Sequence, residues 1–373
     1  MKKVLIFPLL KSMPSGHHQV ADAICESIHA NSGEIECKKL DILSEWNPLV
    51  EGGLTKGYLQ WIRHFPETYS WTYRKFAYRS KGERPHKAYE LLFLKKVKEI
   101  LAREQPDLII CTHGFPSFFI NRLKETGQCN VPALNIYTDF FINDVWGCSH
   151  IDYHFVPSLQ IKNELAAKYS IDKKNIFISG IPVSRKFEVI NEETPTMAKP
   201  PYQILMSGGS EGLGNIVEVL EKGNKKRACK VRILCGANEK LFDEIQSMAS
   251  EFAEAYPYIS SKDEMNSLYN SSDAIITKPG GVTISEALRK GLPIFISTAL
   301  PGQEQVNLEL LEKMGLVFIV PEGADAIEFA CQTLDDEAGI RNYTITTEQY
   351  LADLELKNSH EQYKAIESML ERG

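Results

Sequence analysis

The sequence predicts an α/β protein of two domains, each holding a parallel β-sheet with helices on both faces. Three observations support this prediction. Short apolar runs alternate with helical patterns along the chain, and 373 residues are more than one hydrophobic core usually supports. The segment 186–203 is acidic, holds three prolines and lacks periodicity, as a linker between domains would.

The predicted elements follow from these apolar and helical patterns. Strands are expected at Val4–Leu9, Ile35–Leu40, Asp107–Thr112, Ala133–Thr138, His154–Val156, Ile176–Ser179, Ile204–Ser207, Val231–Cys235, Ala274–Thr277, Pro293–Ser297 and Val317–Val320. Helices are expected at His17–His29, Lys87–Arg103, Lys162–Tyr169, Asn215–Lys222, Glu239–Tyr256, Val282–Lys290 and Glu348–Glu371. The predicted domains are therefore residues 1–190 and 200–345, followed by a C-terminal helical segment, 346–373.

Composition excludes several classes of protein. The net charge of −7 argues against a general nucleic-acid binder. No apolar stretch approaches the ~20 residues that span a bilayer, and the run Val4–Leu10 is expected to be a buried strand rather than a signal peptide. The eight cysteines show no CxxC spacing, so we expect buried free thiols of a reducing cytoplasm and no zinc site.

A glycine turn in the second half predicts a phosphate site. Lys278–Gly281 separates the strand Asp273–Thr277 from a helix, and glycines let a ligand approach the backbone N–H groups of a helix start. Thr283 and Ser285 would add hydroxyl donors, and Glu286 in the first turn would accept two ribose hydroxyls. The alternative is a tight strand–helix turn in which Glu286 complements the helix dipole.

Two more loops follow predicted strands of the same half. The segment 207–214 contains four glycines and opens a helix, although its spacing is neither the dinucleotide fingerprint nor a P-loop. The segment 301–307 carries Gln303, Glu304 and Asn307, which would grip sugar hydroxyls beside the phosphates. The alternative for these three side chains is a capped helix start.

In the first half, polar residues follow three predicted strands. His17 opens a helix after strand one, where the helix N-terminus would lower its pKa and keep it neutral, as a general base must be. His113, Asp139 and Asp144 follow two further strands, and Asp139 is the best carboxylate candidate. A structural histidine remains the alternative for His17.

The segment from Lys56 to Lys87 differs in composition from the rest of the chain. It holds eight aromatic residues and eight Lys or Arg against two Glu, giving +6 within a chain of −7. Aromatic rings and cations suit the interface of an anionic membrane, whereas the alternative is core aromatics with a solvated basic face. The candidate membrane and acceptor residues are Trp61, Arg63, Trp71, Arg74, Lys75 and Arg79.

Several motifs together resemble a known family over about residues 4–325. They are Gly16-His17-x-x-x-Ala21, Thr112-His113-x-Phe115-Pro116, Thr138-Asp139-Phe140, GIPVS at 180–184, KPGGVTISEAL from Lys278 and PGQEQVN from Pro301. The chain resembles the monogalactosyl- and diglucosyl-diacylglycerol synthases and, more distantly, the peptidoglycan glycosyltransferase that makes lipid II. Two positions depart from the family pattern: the first loop, 13–15, and Asn143.

The resemblance implies a GT-B fold, with two Rossmann-like domains whose parallel sheets face each other across a cleft. It implies a UDP-sugar site formed by Gly209, Ser210, Gly280, Gly281, Thr283, Glu286, Gln303, Glu304 and Asn307. Lys278, at the start of the glycine turn, is a further candidate for binding the UDP-sugar. On the acceptor side, His17 corresponds to the family's candidate base, with Asp139 and His113 as further catalytic candidates. The final helix would cross back to the N-terminal domain.

The expected function is inverting transfer of a hexose from a UDP-sugar to a diacylglycerol-type hydroxyl. The expected location is the cytoplasm, peripherally at the inner face of the membrane, and the expected partners are the UDP-sugar, the lipid and the anionic surface. Neither a cofactor, a metal nor a nucleic acid is expected. The alternatives are another enzyme of NDP-sugars, such as a 2-epimerase, and a non-catalytic nucleotide-sugar sensor.

Overall fold

A computed structural model describes residues 1–9, 11, 15–46, 52–53, 57, 61, 87–188, 198–209, 216–222, 229–248, 251–300 and 302–372. The chain divides into two compact units. The first contains Met1–Arg185, Pro301–Gln303 and Asp353–Gly373, and the second contains Lys186–Leu300 and Glu304–Ala352. The predicted boundary at residue 190 lies outside the described residues.

The first unit is built on a six-stranded parallel sheet in the order β2-β1-β3-β4-β5-β6. Its strands are β1 (Lys2–Phe7), β2 (Ile35–Lys39), β3 (Leu108–Cys111), β4 (Ala133–Ile136), β5 (Tyr153–Val156) and β6 (Ile176–Ile178). Its helices are α1 (Gly16–Asn31), α2 (Ile42–Trp46), α3 (Lys87–Glu104), α4 (Gly114–Glu125) and α5 (Leu159–Tyr169), and α13 (Ser359–Arg372) joins them from the end of the chain.

The second unit contains another six-stranded parallel sheet, in the order β12-β11-β10-β7-β8-β9. Its strands are β7 (Tyr202–Ser207), β8 (Cys229–Leu234), β9 (Ala253–Tyr256), β10 (Ala274–Thr277), β11 (Ile294–Ile296) and β12 (Phe318–Ile319). Its helices are α6 (Ile216–Lys222), α7 (Glu239–Ser247), α8 (Lys262–Asn270), α9 (Gly281–Arg289), α10 (Gln303–Lys313), α11 (Ala326–Asp335) and α12 (Glu337–Ala352). Only the first residue of α10, Gln303, is assigned to the first unit.

The prediction of two α/β domains with parallel sheets is confirmed. Central strands such as β3 and β10 are buried along their whole length because helices cover both faces, which explains their uninterrupted apolar sequences. Side-chain caps fix several helix starts. The Ser158, Asn238, Ser261 and Asp325 side chains each accept a hydrogen bond from a backbone N–H group of the helix that follows.

Two predicted helices are wrong in extent. The predicted helix Glu239–Tyr256 ends at Ser247, and its last four residues form β9, which pairs with β8 at the sheet edge. Ala and Glu favour helix locally, but the open edge of β8 supplies hydrogen bonds that override this preference. The predicted helix Glu348–Glu371 is two helices, α12 and α13, interrupted at 353–358.

The expectation of eight free thiols is also wrong. Cys25 on α1 and Cys37 on β2 form a disulfide, with their Cα atoms 5.7 Å apart. Helix α1 packs on β2, so the two residues meet in space although their sequence spacing carries no recognisable motif. The other six cysteines are free, and all are buried except Cys331, which is partly exposed.

The end of the chain returns to the first unit. Helix α13 packs on α1, and Ser27 on α1 donates a hydrogen bond to the Ser359 carbonyl at 2.5 Å. The Glu355 carboxylate accepts a hydrogen bond of 2.9 Å from the backbone N–H of Ile178 at the end of β6. The C-terminal segment thus completes the fold of the first unit.

Candidate active site

In the first unit, three neighbouring strands bring polar residues to one sheet edge. His17 lies in the first turn of α1 after β1, Thr112 follows β3, and Thr138 follows β4. Strands β1, β3 and β4 are adjacent, so their carboxyl ends lie side by side. The His17 Nδ1 atom is 2.9 Å from the Thr112 carbonyl oxygen and 2.9 Å from the Thr138 hydroxyl oxygen.

These contacts fix the tautomer of His17. A carbonyl oxygen can only accept, so Nδ1 carries the proton and donates it to Thr112, and Nε2 keeps a free lone pair. The Thr112 hydroxyl also donates to the His17 carbonyl at 3.0 Å, which anchors the backbone of the same residue. A neutral imidazole held this way can accept a proton at Nε2.

Burial lowers the pKa of His17 to about 4, while its hydrogen bond to Thr112 opposes the shift and the neighbouring His18 adds to it. The sequence suggested that the helix N-terminus would lower this pKa. The structure assigns the shift chiefly to loss of solvation instead. The consequence is the same, because His17 is neutral at physiological pH.

His113 lies beside His17, with the two ring centroids 4.5 Å apart and the rings nearly perpendicular. It is the N-cap of α4, and its Nδ1 atom accepts a hydrogen bond of 2.9 Å from the backbone N–H of Phe115. Burial lowers the pKa of His113 well below its usual value, and nearby His17 lowers it further. His113 is therefore also neutral, with its proton on Nε2.

The two candidate aspartates have different surroundings. Asp139 is partly exposed and accepts a hydrogen bond from Gln303, which belongs to the first unit. Asp144 forms an ion pair of 2.5 Å with Lys168 on α5. The Asp139 carboxylate is therefore bonded to Gln303, whereas the Asp144 carboxylate is paired with a lysine of α5.

In the second unit, the turn between β10 and α9 exposes bare backbone. The first N–H groups of any helix have no acceptor within that helix. Gly280 is the N-cap of α9, and it has no side chain that could accept from them. A Cβ placed on Gly280 would meet no atom within 4 Å, so there is open space beside this backbone. Thr283 is partly exposed in the same turn, whereas the buried Ser285 hydroxyl donates to the Gly281 carbonyl at 2.9 Å.

Lys278 is the first residue of this turn, and its side chain lies close to two neighbouring loops. Its Nζ atom is 3.0 Å from Glu304 Oε1, and the other oxygen of Glu304 accepts from the Leu300 N–H at 2.8 Å. Gly209, after β7, has a φ of +75°, and a Cβ placed there would lie 3.7 Å from Lys278 Cε. Because β7, β10 and β11 are adjacent, these loops form one edge of the sheet.

Glu286 is a buried carboxylate in α9, only 7% exposed. Its Oε2 atom accepts a hydrogen bond of 2.9 Å from the hydroxyl of Tyr269, which is buried on α8. Burial raises the pKa of Glu286, while the charge of Lys262 and the Tyr269 hydrogen bond oppose that shift. Sequence reasoning missed Tyr269, because nothing in the sequence links α8 to the glycine turn.

Asn307 and Ser210 are the remaining residues of the predicted UDP-sugar site. Asn307 is 1% exposed, and its Nδ2 atom donates to the Pro279 carbonyl at 3.1 Å, so it tethers the glycine turn from α10. Ser210 lies outside the described residues. Within the described part of the chain, no group of three His, Cys, Asp or Glu residues is placed to hold a metal ion.

Most of the candidate membrane residues lie outside the described residues. Trp61 is described and partly exposed, whereas Arg63, Trp71, Arg74, Lys75 and Arg79 are not described. Among the helices of the described ranges, none is long and apolar enough to cross a membrane.

Comparison with known families matches each half of the chain to a different model. Residues 17–183 match the monogalactosyldiacylglycerol (MGDG) synthase family. Residues 203–321 match the C-terminal domain of glycosyltransferase family 28. The two matches together include His17, His113 and the glycine turn.

Two relatives from Bacillus subtilis illustrate the similarity. An uncharacterized glycosyltransferase, YkoN, is 44% identical over 321 residues, which cover 85% of this chain and 84% of the relative. A processive diacylglycerol beta-glucosyltransferase is 27% identical over 369 residues, covering 96% of this chain and 93% of the relative.

Solved structures of low sequence identity share the fold. MurG from Acinetobacter baumannii superposes with a TM-score of 0.60 at 13% identity, covering 99% of this chain and 100% of that one. The UDP-GlcNAc 2-epimerase from Neisseria meningitidis, solved with UDP-GlcNAc bound, gives 0.58 at 15% identity, with complete coverage of both chains. The predicted GT-B fold is confirmed by these likenesses, which do not distinguish a transferase from an epimerase.

Proposed function

Because the chain belongs to the family of diacylglycerol-type glycosyltransferases, we propose that it transfers a hexose from a UDP-sugar to a lipid hydroxyl with inversion. The observation that carries the proposal is the β10–α9 turn, where bare backbone, a lysine and a buried carboxylate lie at one sheet edge. These are the groups that a nucleoside diphosphate requires: N–H donors and a cation for the phosphates, and a carboxylate for ribose hydroxyls.

In the proposed donor complex, the N–H groups around Gly281 and the Lys278 ammonium meet the diphosphate. Glu286 accepts hydrogen bonds from the ribose through Oε1, since Tyr269 already occupies Oε2. Gly209, Ser210, Thr283, Gln303 and Glu304 remain proposed neighbours of the sugar and phosphates. Asn307 is proposed to act through the Pro279 carbonyl that it holds.

The proposed reaction is a single displacement at the anomeric carbon. The acceptor oxygen bonds to that carbon, the bond from the carbon to the UDP oxygen breaks, and His17 Nε2 takes the hydroxyl proton. The lone pair on Nε2 and the neutral state of His17 support this role. Backbone N–H groups and Lys278 would stabilise the charge of the departing diphosphate, and no further cofactor is proposed.

The proposed acceptor is a diacylglycerol-type lipid at the cytoplasmic face of the membrane. The aromatic and basic segment Lys56–Lys87 supports contact with an anionic surface. A processive diacylglycerol beta-glucosyltransferase is among the relatives, and this supports the acceptor class. A 2-epimerase of NDP-sugars remains the second candidate, because the UDP-GlcNAc 2-epimerase shares the fold.

A donor panel with diacylglycerol vesicles tests the proposal. UDP-glucose, UDP-galactose and UDP-N-acetylglucosamine are each incubated with the protein, with and without 1,2-dioleoylglycerol, and the lipids are analysed by mass spectrometry. A transferase should release UDP and form a glycosylated lipid only when the acceptor is present. Conversion of the sugar nucleotide to its epimer without any lipid would instead establish the second candidate.

The donor site has its own test in Glu286→Ala. Loss of a buried charge-assisted hydrogen bond costs about 1.5–3 kcal/mol, so we expect UDP affinity measured by calorimetry to fall roughly 10- to 100-fold. The exposed Glu322 in the same unit provides the matched control, Glu322→Ala, which should leave affinity unchanged. Unchanged affinity in folded Glu286→Ala protein would mean that the nucleotide binds elsewhere.

A further inference from the structure

Two neighbouring histidines expose opposite hydrogen-bonding functions. His17 donates from Nδ1 to the Thr112 carbonyl, so its Nε2 atom is an acceptor. His113 accepts at Nδ1 from the Phe115 N–H, so its Nε2 atom is a donor when the ring is neutral. Neither Nε2 atom has a hydrogen-bond partner among the described residues, and the ring centroids are 4.5 Å apart.

His113 is poorly suited to be a second base. Its lone pair at Nδ1 is already used to cap α4, and accepting a proton there would break the bond to the Phe115 N–H. Protonation would also place a charge beside His17 in a buried setting, which burial disfavours for both rings. What His113 can offer a ligand is a single N–H donor.

We propose that His113 donates a hydrogen bond from Nε2 to a second oxygen of the acceptor, next to the hydroxyl whose proton His17 removes. The inference rests on the proposed function and narrows its acceptor class to hydroxyls with an oxygen on the neighbouring carbon, as in a glycerol ester. His113 transfers no proton in this arrangement, so it selects and orients the acceptor. The separation of the rings allows two oxygens of one small group to contact both side chains.

The pair of variants His113→Asn and His113→Gln separates this role from helix capping. Asparagine is a favoured N-cap and can still accept from the Phe115 N–H, but its short amide loses the distal donor. Glutamine places an amide donor further from the backbone and is a weaker cap. A purely structural role therefore predicts that asparagine is the better substitute, whereas our inference predicts that glutamine is.

The assay compares 1,2-dioleoylglycerol with oleyl alcohol in identical vesicles, at a saturating concentration of the UDP-sugar that the donor panel identifies. Only 1,2-dioleoylglycerol carries an oxygen on the carbon next to the one that bears the hydroxyl. We expect His113→Asn to raise the KM for dioleoylglycerol about three- to tenfold with kcat and the UDP-sugar KM little changed, since a neutral hydrogen bond is lost. Rates with oleyl alcohol should be equal in the wild-type and His113→Asn proteins. His113→Gln should recover part of the preference for dioleoylglycerol over oleyl alcohol that His113→Asn loses.

Two outcomes would overturn the inference while leaving the proposed function intact. One is an equal loss on both acceptors in His113→Asn protein of unchanged melting temperature, and the other is an unchanged KM for dioleoylglycerol in that variant. Wild-type protein that glycosylates neither acceptor would contradict the proposed function itself, and the inference with it.

Discussion

At the scale of single residues, the chemistry of His17 depends on a backbone carbonyl that no side-chain pattern reveals. Thr112 accepts from Nδ1 and thereby frees Nε2, and burial keeps the ring neutral. The pKa of about 4 means that the basic form persists well below the usual value near 6.5. In the proposed mechanism, the pH at which activity is lost therefore reports on the surroundings of His17.

We predict that kcat/KM stays level down to about pH 5 and falls only as the pH drops through the pKa of His17, about 4. The sign follows from the proposed mechanism, because protonated His17 cannot accept the hydroxyl proton. Between about pH 6.5 and 4 the unfolded chain binds a proton at His17 that the native protein does not, so stability decreases as pH falls through this window. An acid limb near pH 6.5 would contradict the assigned environment.

His17→Ala should lower the transfer rate by about 10²- to 10⁴-fold above about pH 5, where wild-type His17 is neutral, while UDP affinity is retained. His29 is an exposed residue on the same helix, so His29→Ala is the matched control and should retain full activity. A His17→Ala protein that keeps most of its turnover would assign the base to another group, with Asp139 as the first candidate.

How far the sequence predicts the site differs from residue to residue. The glycine turn and His17 are recognisable because ligand sites in parallel sheets follow strand ends, and both residue types stand there. Tyr269 is not recognisable as a candidate site residue, and Thr138 enters the sequence analysis only as part of the motif Thr138-Asp139-Phe140, without a role of its own. The Tyr269 hydroxyl donates to Glu286 from a separate helix, and the Thr138 hydroxyl contacts His17 from the loop after β4, so only tertiary packing brings these side chains together.

At the scale of elements, the loop after β4 is held by a polar network. The Gly147 carbonyl accepts hydrogen bonds from Ser117 on α4 at 2.9 Å and from Asn135 on β4 at 2.8 Å. Asn121 on α4 accepts from the His150 N–H at 2.8 Å. These bonds fix the loop that follows Asp139, so packing at Gly147 positions a candidate site residue.

We predict that Gly147→Ala destabilises the protein by about 1–3 kcal/mol, seen as a lower melting temperature. The added Cβ would come 2.6 Å from the Ser117 carbonyl oxygen and 2.4 Å from the Asn121 Cβ, so α4 and the loop must separate. Gly33→Ala is the matched control, because a Cβ there meets nothing within 4 Å. Equal melting temperatures for the two variants would show that the loop adapts without cost.

Element boundaries show where local preference stops being decisive. Buried strands such as β3 and β10 are predicted from apolar runs because burial on both faces dictates their composition. β9 was missed because its Ala-Glu-Ala sequence favours helix and only the edge of β8 makes it a strand. The interruption between α12 and α13 was missed because residues 353–358 contain neither glycine nor proline.

At the scale of the whole molecule, the chain order does not follow the domain order. Asp353–Gly373 belongs to the first unit although it follows the second in sequence. Buried residues of α13, including Tyr363 and Ile366, pack where α1 provides an apolar surface, so the C-terminus contributes to the stability of the unit that carries His17. The amphipathic pattern predicts this helix, but not which residues of α1 it contacts.

Charge is also distributed unevenly over the whole chain, and this leads to the last prediction. The segment Lys56–Lys87 carries +6 in a chain of −7. Each basic residue near an anionic surface contributes about 1 kcal/mol, and salt screens that attraction. Replacing Arg74, Lys75 and Arg79 by Ser should therefore release the protein from anionic vesicles in sedimentation assays, with UDP affinity and melting temperature little changed.

The control for this experiment removes the same charge elsewhere. Lys173, Lys174 and Lys240 are exposed, and their replacement by Ser changes net charge equally without touching the aromatic segment. If overall charge governed binding, both triple variants would release the protein to the same extent. We expect the control to stay bound, and wild-type binding to weaken with added salt, because local attraction combines with the insertion of aromatic rings at the interface. If the wild-type protein does not bind anionic vesicles at all, the proposed membrane role of the segment is contradicted. The segment would then no longer support a lipid acceptor.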